Sequence, residues 1–156
     1  MLVANLAALI ILSHPGLSDY RDQFPMPDLT VPSGWGVNVN LKDMDDQDID
    51  AIADAGAKWI RLDLLWSRVE QKSGVFDFSK YDPVIDGFSR KGIRPILILD
   101  YGNKVHDVDA PRTREGRTAY SDFAVAAVNH YRHRGVIWEI WNEPNLSHFW
   151  RGAPSA

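Results

Sequence analysis

The feature that most restricts this chain is a repeated order: a short apolar run, a polar loop, an amphipathic helix, a glycine, then the next apolar run. The first unit opens with a strand from Gly34 to Asn40 and predicts a helix from Asp46 to Ala55. In that helix Ile49, Ile52, Ala53 and Gly56 share the spacing of one buried stripe. Gly56 is placed to end it in a left-handed cap. Trp59 to Leu65 reads as the second strand, and Tyr81 to Arg90 as a helix with Tyr81, Val84, Ile85 and Phe88 on one face before Gly92. Ile93 to Leu99 is nearly all apolar, which suits a parallel strand covered on both faces, while Pro95 argues against a central position. A third helix aligns Tyr120, Phe123, Ala124, Ala127, Val128 and Tyr131, and Gly135 leads into a fourth strand, Val136 to Asn142. Strands alternating with helices in this way predict right-handed crossovers and a parallel sheet, an α/β fold.

Composition narrows the function classes. The chain has 156 residues, the length of one ordinary domain, and 45% hydrophobic with 24% charged residues are enough for a real core. Seventeen basic against twenty-one acidic residues leave a net charge of -4, a field that repels phosphate backbones and argues against a nucleic-acid partner. Cysteine is absent, which excludes disulfides, thiolate metal sites and a cysteine nucleophile. Leu2 to Leu12 is apolar and has the length of a signal-peptide hydrophobic region, but no Lys or Arg precedes it and no small-x-small cleavage site follows. It reads equally as an apolar segment packed on the domain. No stretch reaches the roughly 20 apolar residues of a membrane span. The expected division is therefore a lead-in over 1–33, Pro-rich from Pro15 to Ser33, and a folded domain over 34–156.

In a parallel α/β architecture ligands meet the chain beyond the C-terminal ends of the strands. Polar residues gather at those ends: Asn38 and Asn40, Arg61 and Asp63, Asp100, Tyr101 and Asn103, and then Asn142, Glu143, Pro144 and Asn145. Glu143 is the candidate acid. A carboxyl at the end of a buried strand among Trp138, Trp141 and Trp150 is expected to be desolvated and to keep its proton, which glycoside cleavage needs for the leaving oxygen. Asn142 supplies an amide for a sugar hydroxyl. The alternative is a strand-ending turn with a solvated Glu.

The string from Trp138 to Asn145, WEIWNEPN, resembles the fourth-strand motif of clan A glycoside hydrolases, families 5 and 39 above all. The resemblance runs back through Gly36 to Asn38, Ile60 to Leu62, Trp66 with Val69 to Phe78, and Gly92 to Asn103, covering about residues 34 to 150. It implies a (β/α)8 TIM-barrel type fold, truncated to about the first four strand-helix units, and retaining hydrolysis of a β-linked oligo- or polysaccharide without metal or cofactor. It implies that Glu143 is the acid/base, Asn142 the partner of the sugar 2-hydroxyl, and Arg61 the strand-two arginine that orients the nucleophile. Asn40 stands where many relatives carry His and is the candidate sugar contact of strand one. Those families place the nucleophile on strand seven, which has no counterpart in these 156 residues. Glu139 cannot take that role: four residues from Glu143 along one strand is about 13 Å, against the 5 to 5.5 Å, approximately, of a retaining pair. Glu139 is expected inside the barrel, paired with Arg61.

The remaining candidates carry competing readings. Trp66, Tyr101 and Trp150 serve as sugar platforms or as core, and Trp35 likewise. His130 and His133 near a helix C-terminus fit the dipole better than a metal. Asp43, Asp45, Asp46, Asp48 and Asp50 fit a helix start better than calcium. His106, Asp107 and Asp109 rim a sugar cleft or a solvated loop. The isolated chain is expected to turn over little substrate, and its open barrel edges offer a route to self-association. The competing reading is a non-catalytic glycan-binding half-barrel that pairs with itself.

Overall fold

The computed structural model describes residues 34–42, 44–106 and 109–153. The segment 1–33, including the apolar run from Leu2, lies outside the described residues, as do Asp43 and Asp107. Strands β1 (Gly36–Val39), β2 (Trp59–Leu65), β3 (Arg94–Asp100) and β4 (Ile137–Ile140) form one parallel sheet in the order β1-β2-β3-β4. Between and after them run α1 (Asp46–Asp54), a short α2 (Trp66–Val69), α3 (Asp82–Arg90), a 3-10 turn (Lys104–His106), α4 (Arg114–Tyr131) and α5 (Ser147–Trp150). Each strand lies beside its predecessor with no reversal of order. That is the winding of a (β/α)8 barrel, of which the described residues form four consecutive strands, and not of a doubly wound sheet.

The sequence pattern accounts for most element ends. Asp45 caps α1 by accepting from the Gln47 and Asp48 N–H groups, and Asp48 returns a bond to the Asp45 N–H, so this acid cluster marks a helix start. Gly56 follows α1 at φ 86°, a conformation that a side chain would resist. Gly36 answers a different need: a Cβ there would sit 2.5 Å from the Trp59 carbonyl oxygen of the neighbouring strand. Pro95 is tolerated in β3 because the Arg94 N–H points to Lys58 on the β2 side, leaving the next N–H position facing β4. The ladder to β4 begins only at Ile96.

The core lies between sheet and helices. Ile60, Leu62, Leu64, Leu97 and Leu99 point outward onto Ile85, Phe88, Phe123 and Ala127, all essentially inaccessible. The α4 stripe is narrower than its spacing predicts. Tyr120, Phe123, Ala127 and Tyr131 are buried, but Val128, one step further round the helix, is exposed. The fourth strand is also shorter than expected, ending at Ile140 because Trp141 takes φ 63° and turns the chain. Ile137 and Ile140 on this edge strand are 41% and 64% exposed. Among the described residues no helix is long and apolar enough to cross a membrane.

The face assignment of α4 is testable by urea unfolding. Phe123→Ala should lower stability by about 3–5 kcal/mol, whereas Val128→Ala should change it by about 0.5 kcal/mol or less. Similar losses at both positions would contradict the observed packing.

Candidate active site

Alternation along the parallel strands sends a second set of side chains to the inner face. The register aligns Asn38 with Arg61, Asp63 with Ile98, Leu65 with Asp100, and Ile98 with Glu139. Arg61 is the centre of this set. Its Nε and one terminal nitrogen each donate to Glu139 at 2.7 Å, a two-pronged ion pair, and that same terminal nitrogen donates to the Asn142 Oδ1 at 3.0 Å. Its other terminal nitrogen donates to the Asn38 Oδ1 at 3.2 Å. The pairing of Glu139 with Arg61 is as expected from sequence. Its hydrogen bond to Arg61 holds the Glu139 carboxyl below the ordinary range, against the opposing effect of burial.

Because Arg61 can only donate, Asn142 must present its oxygen to it, which leaves the Asn142 Nδ2 to donate to the Tyr101 hydroxyl at 3.1 Å. The amide keeps one N–H and one lone pair for a ligand. Tyr101 is partly buried, with Phe149 stacked on it at 6.0 Å and Trp141 edge-on at 5.7 Å. It also borders a cleft of about 750 Å³ that Leu65, Ser67, Gln71, Asn103, Lys104, Asp109 and Arg151 help to line.

Glu143 stands one residue beyond Asn142, on a turn and not on the strand, at φ 46°. Its side chain is exposed, so the desolvated setting expected for it is not formed by the described residues. The physical reason is the turn at Trp141. Trp138 faces the helix layer against Tyr131 at 6.5 Å, and Trp141 is buried against Tyr120 and Trp150. The straight-strand separation between Glu139 and Glu143 therefore does not apply. Bulky residues with positive φ, here Trp141 and Glu143, are uncommon and concentrate at functional positions.

Trp66 does not fit its expected role as a sugar platform. It is wholly buried, stacked between His106 at 5.2 Å and Phe123 at 5.9 Å, and its indole N–H donates to the Glu70 Oε2 at 2.6 Å. The short α2 turns it inward directly after β2. Asn40 is exposed, and its Oδ1 accepts the Lys42 N–H at 3.0 Å, a local turn contact. Trp150 is half-buried, edge-on to Trp141 at 5.1 Å. Trp35 is 44% exposed and directly precedes β1, at the N-terminal end of the strands and away from the C-terminal ends where the polar residues gather. His130 contacts Asp82 at 2.8 Å and stacks on Phe78, and no cluster of three or more metal-ligating side chains occurs among the described residues.

Sequence reasoning missed one carboxyl, Glu70, and gave another, Asp100, no role beyond its place at a strand end. Glu70 is 1% exposed; its Oε1 accepts from the Gly74 N–H at 2.6 Å and lies 2.8 Å from the His106 Nε2. Burial alone would raise this carboxyl, but the Gly74 N–H, the Trp66 indole and His106 together hold it below the ordinary range. Asn103 ties the same network to the loop after β3 by donating to the Glu70 carbonyl at 2.8 Å. Asp100, at the end of β3, is inaccessible, and neither of its oxygens has a hydrogen-bond partner among the described residues. Burial first, and then the charge of Asp63, push it up to about 8, with Arg61 pulling the other way. Burial likewise raises Asp63, opposed by Arg61. A sequence signal existed for Asp100, a lone acid closing an apolar strand; for Glu70 the only signal was the four-residue spacing from Trp66 and to Gly74, since His106 comes from the loop after β3.

A parallel barrel-type sheet with an arginine, two asparagines and several carboxyls at its strand ends is the framework of a glycoside hydrolase barrel. Residues 19–153 match the model of the cellulase family, glycosyl hydrolase family 5, and the chain belongs to that family. A rice protein named probable inactive beta-glucosidase 14 (Oryza sativa subsp. japonica) is 26% identical over 110 residues, 65% of this chain and 21% of that protein. A family 39 glycoside hydrolase from Bacteroides cellulosilyticus WH2 superposes with a TM-score of 0.64 at 27% identity, over 72% of this chain and 25% of that one. An endoglucanase of Pseudomonas stutzeri shares the fold, with a TM-score of 0.56 at 18% identity over 76% of this chain and 43% of that one. The chain thus spans about a fifth of the curated relative and a quarter of the family 39 structure.

Glu70 gives a test of this local network. Glu70→Gln should cost about 1–3 kcal/mol at neutral pH, because an amide cannot accept at both ends and leaves a buried donor unmet. Since the folded carboxyl titrates below its unfolded value, its stabilisation is present above the ordinary carboxyl range and lost as pH falls through the folded value. The gap between wild type and variant, followed by thermal unfolding, should therefore narrow on acidification. A gap that is constant with pH would remove the charge from the explanation.

Proposed function

We propose that this chain carries the acid/base half of a retaining β-glycosidase site acting on an oligo- or polysaccharide. In this reading Glu143 protonates the leaving oxygen as a nucleophile attacks the anomeric carbon, and then deprotonates the water that releases the glycosyl intermediate. The attacking carboxylate is not assigned to any residue of this chain. Asn142 bonds the sugar 2-hydroxyl, Tyr101 and Trp150 border the bound sugar, and Asn40 lies at its edge. Arg61 holds Asn142 in place. Trp66 supports the site from within the core, without touching sugar.

The observation that carries the reading is the fixed Asn142 amide. Arg61 dictates its orientation from one side and Tyr101 accepts from the other, and its spare donor and acceptor match what a sugar hydroxyl can give and take. Glu143 follows immediately at positive φ, a costly backbone state that a structural turn does not require of glutamate. The exposed Ile137 and Ile140 of the β4 edge favour a second reading, a glycan-binding half-barrel that pairs with another copy.

Hydrolysis of β-aryl glycosides by the purified chain is the test. Turnover should be near background, and whatever is present should disappear in Glu143→Gln; turnover indifferent to that change overturns the assignment. Asn142→Ala should weaken binding of a β-linked oligosaccharide by about tenfold, roughly 1.4 kcal/mol. A sharp dimer on sedimentation that binds the oligosaccharide without turnover would favour the half-barrel reading.

A further inference from the structure

Towards the C-terminal ends of the strands the inner face carries more acid than Arg61 can neutralise; Arg94, on the same face of β3, lies at the other end of the strand with the Gly135 carbonyl and the Trp59 ring. Glu139 takes both prongs of Arg61, and Asp63 and Asp100 remain on the same face of β2 and β3. Asp63 is half-buried, while Asp100 is fully enclosed with both oxygens unpartnered among the described residues. Arg61 and Asp63 on β2 and Glu139 on β4 act on Asp100 through space, with its own neighbour Tyr101 and with Tyr81 and Tyr120 from the helix layer. The Tyr101 hydroxyl favours the ionised form without having the geometry of a hydrogen bond. Two uncompensated anions in such a setting cost several kcal/mol, roughly, so one proton stays on the face, and the site that water cannot reach is where it stays.

We propose that Asp100 is a positioning residue for the candidate site: as a neutral acid it leaves Arg61 committed to Glu139 and Asn142, and as an anion it draws Arg61 away from Asn142. The proposal rests on the reading of Asn142 as the sugar contact for its functional meaning, but not for its physical content. The Asp100 charge acts through space on Arg61 and on Tyr101, the two partners that fix the Asn142 amide. Burial and Asp63 set the transition at about 8. The site is therefore held together below that pH and loosened above it. The Arg61 charge itself is not lost, since Glu139 and the other acids raise it further.

Carbon NMR of the isotopically labelled chain tests this without any need for turnover. The Asp100 carboxyl, the Arg61 guanidinium carbon and the Asn142 amide carbon should shift together with a common midpoint near 8. In Asp100→Asn the Arg61 and Asn142 transitions should vanish, with their shifts held near the neutral-pH values of wild type. In Asp63→Asn, which removes the neighbouring anion, the midpoint should move to lower pH, and this second variant keeps the test open if Asp100→Asn fails to fold. Arg61 and Asn142 signals that stay flat across the range, or a transition that survives in Asp100→Asn, would overturn the proposal. A flat titration alongside hydrolysis that depends on Glu143 would sink this inference and leave the glycosidase reading standing, and a clear titration without glycan binding would do the reverse.

Discussion

Everything at the strand ends depends on how one guanidinium is shared. Arg61 uses two of its donors on Glu139, one on Asn142 and one on Asn38, so a single side chain on β2 links β1, β4 and the turn that follows β4. The geometry is possible because the strands are parallel and in register, which brings alternate residues of neighbouring strands to one face at one level. Both partners of the ion pair keep about a third of their side-chain surface accessible. Its contribution to global stability is accordingly modest, and its main consequence is orientation.

The two faces of the sheet divide the work. Outward-pointing aliphatic residues pack against α3 and α4 and supply the hydrophobic stabilisation, while the inner face holds polar groups that would be costly in a closed core unless paired. A helix-packed framework holds the inner side chains at fixed heights along the strands. The loops after β2 and β3 are joined in their turn by Glu70, which gathers Trp66, Gly74 and His106, and by Asn103. Asn103 and Val105, which line the cleft beside Tyr101, are thus tied to the segment that carries the buried Glu70.

Much of this was legible in the residues. The period of the apolar positions marked all four strands and the three long helices, and β2 coincides with its expected span. Polar residues closing apolar strands marked the end of the sheet where a ligand would meet it. What spacing could not reveal was the direction of side chains where regular structure stops. Trp66 and Trp150 both follow strand ends in sequence, yet one is sealed in the core and the other half-exposed, because a short helix turns the first inward. Glu143 reads in sequence as a strand-end residue, but the chain leaves the strand at Trp141. Val128 shows the same limit on a smaller scale, since a helical stripe has no sharp edge in sequence.

The sequence by itself determined the order of elements, the parallel sheet and the chemical kinds of residue at its C-terminal end, because periodic burial and glycine stops are local properties of a chain. Only the tertiary structure decided which acid pairs with Arg61, which one has no hydrogen-bond partner among the described residues, and which aromatic rings are sealed in the core. Those outcomes depend on distances between residues remote in sequence, such as Arg61 and Glu139, and on solvent exclusion at Asp100, which no local pattern encodes.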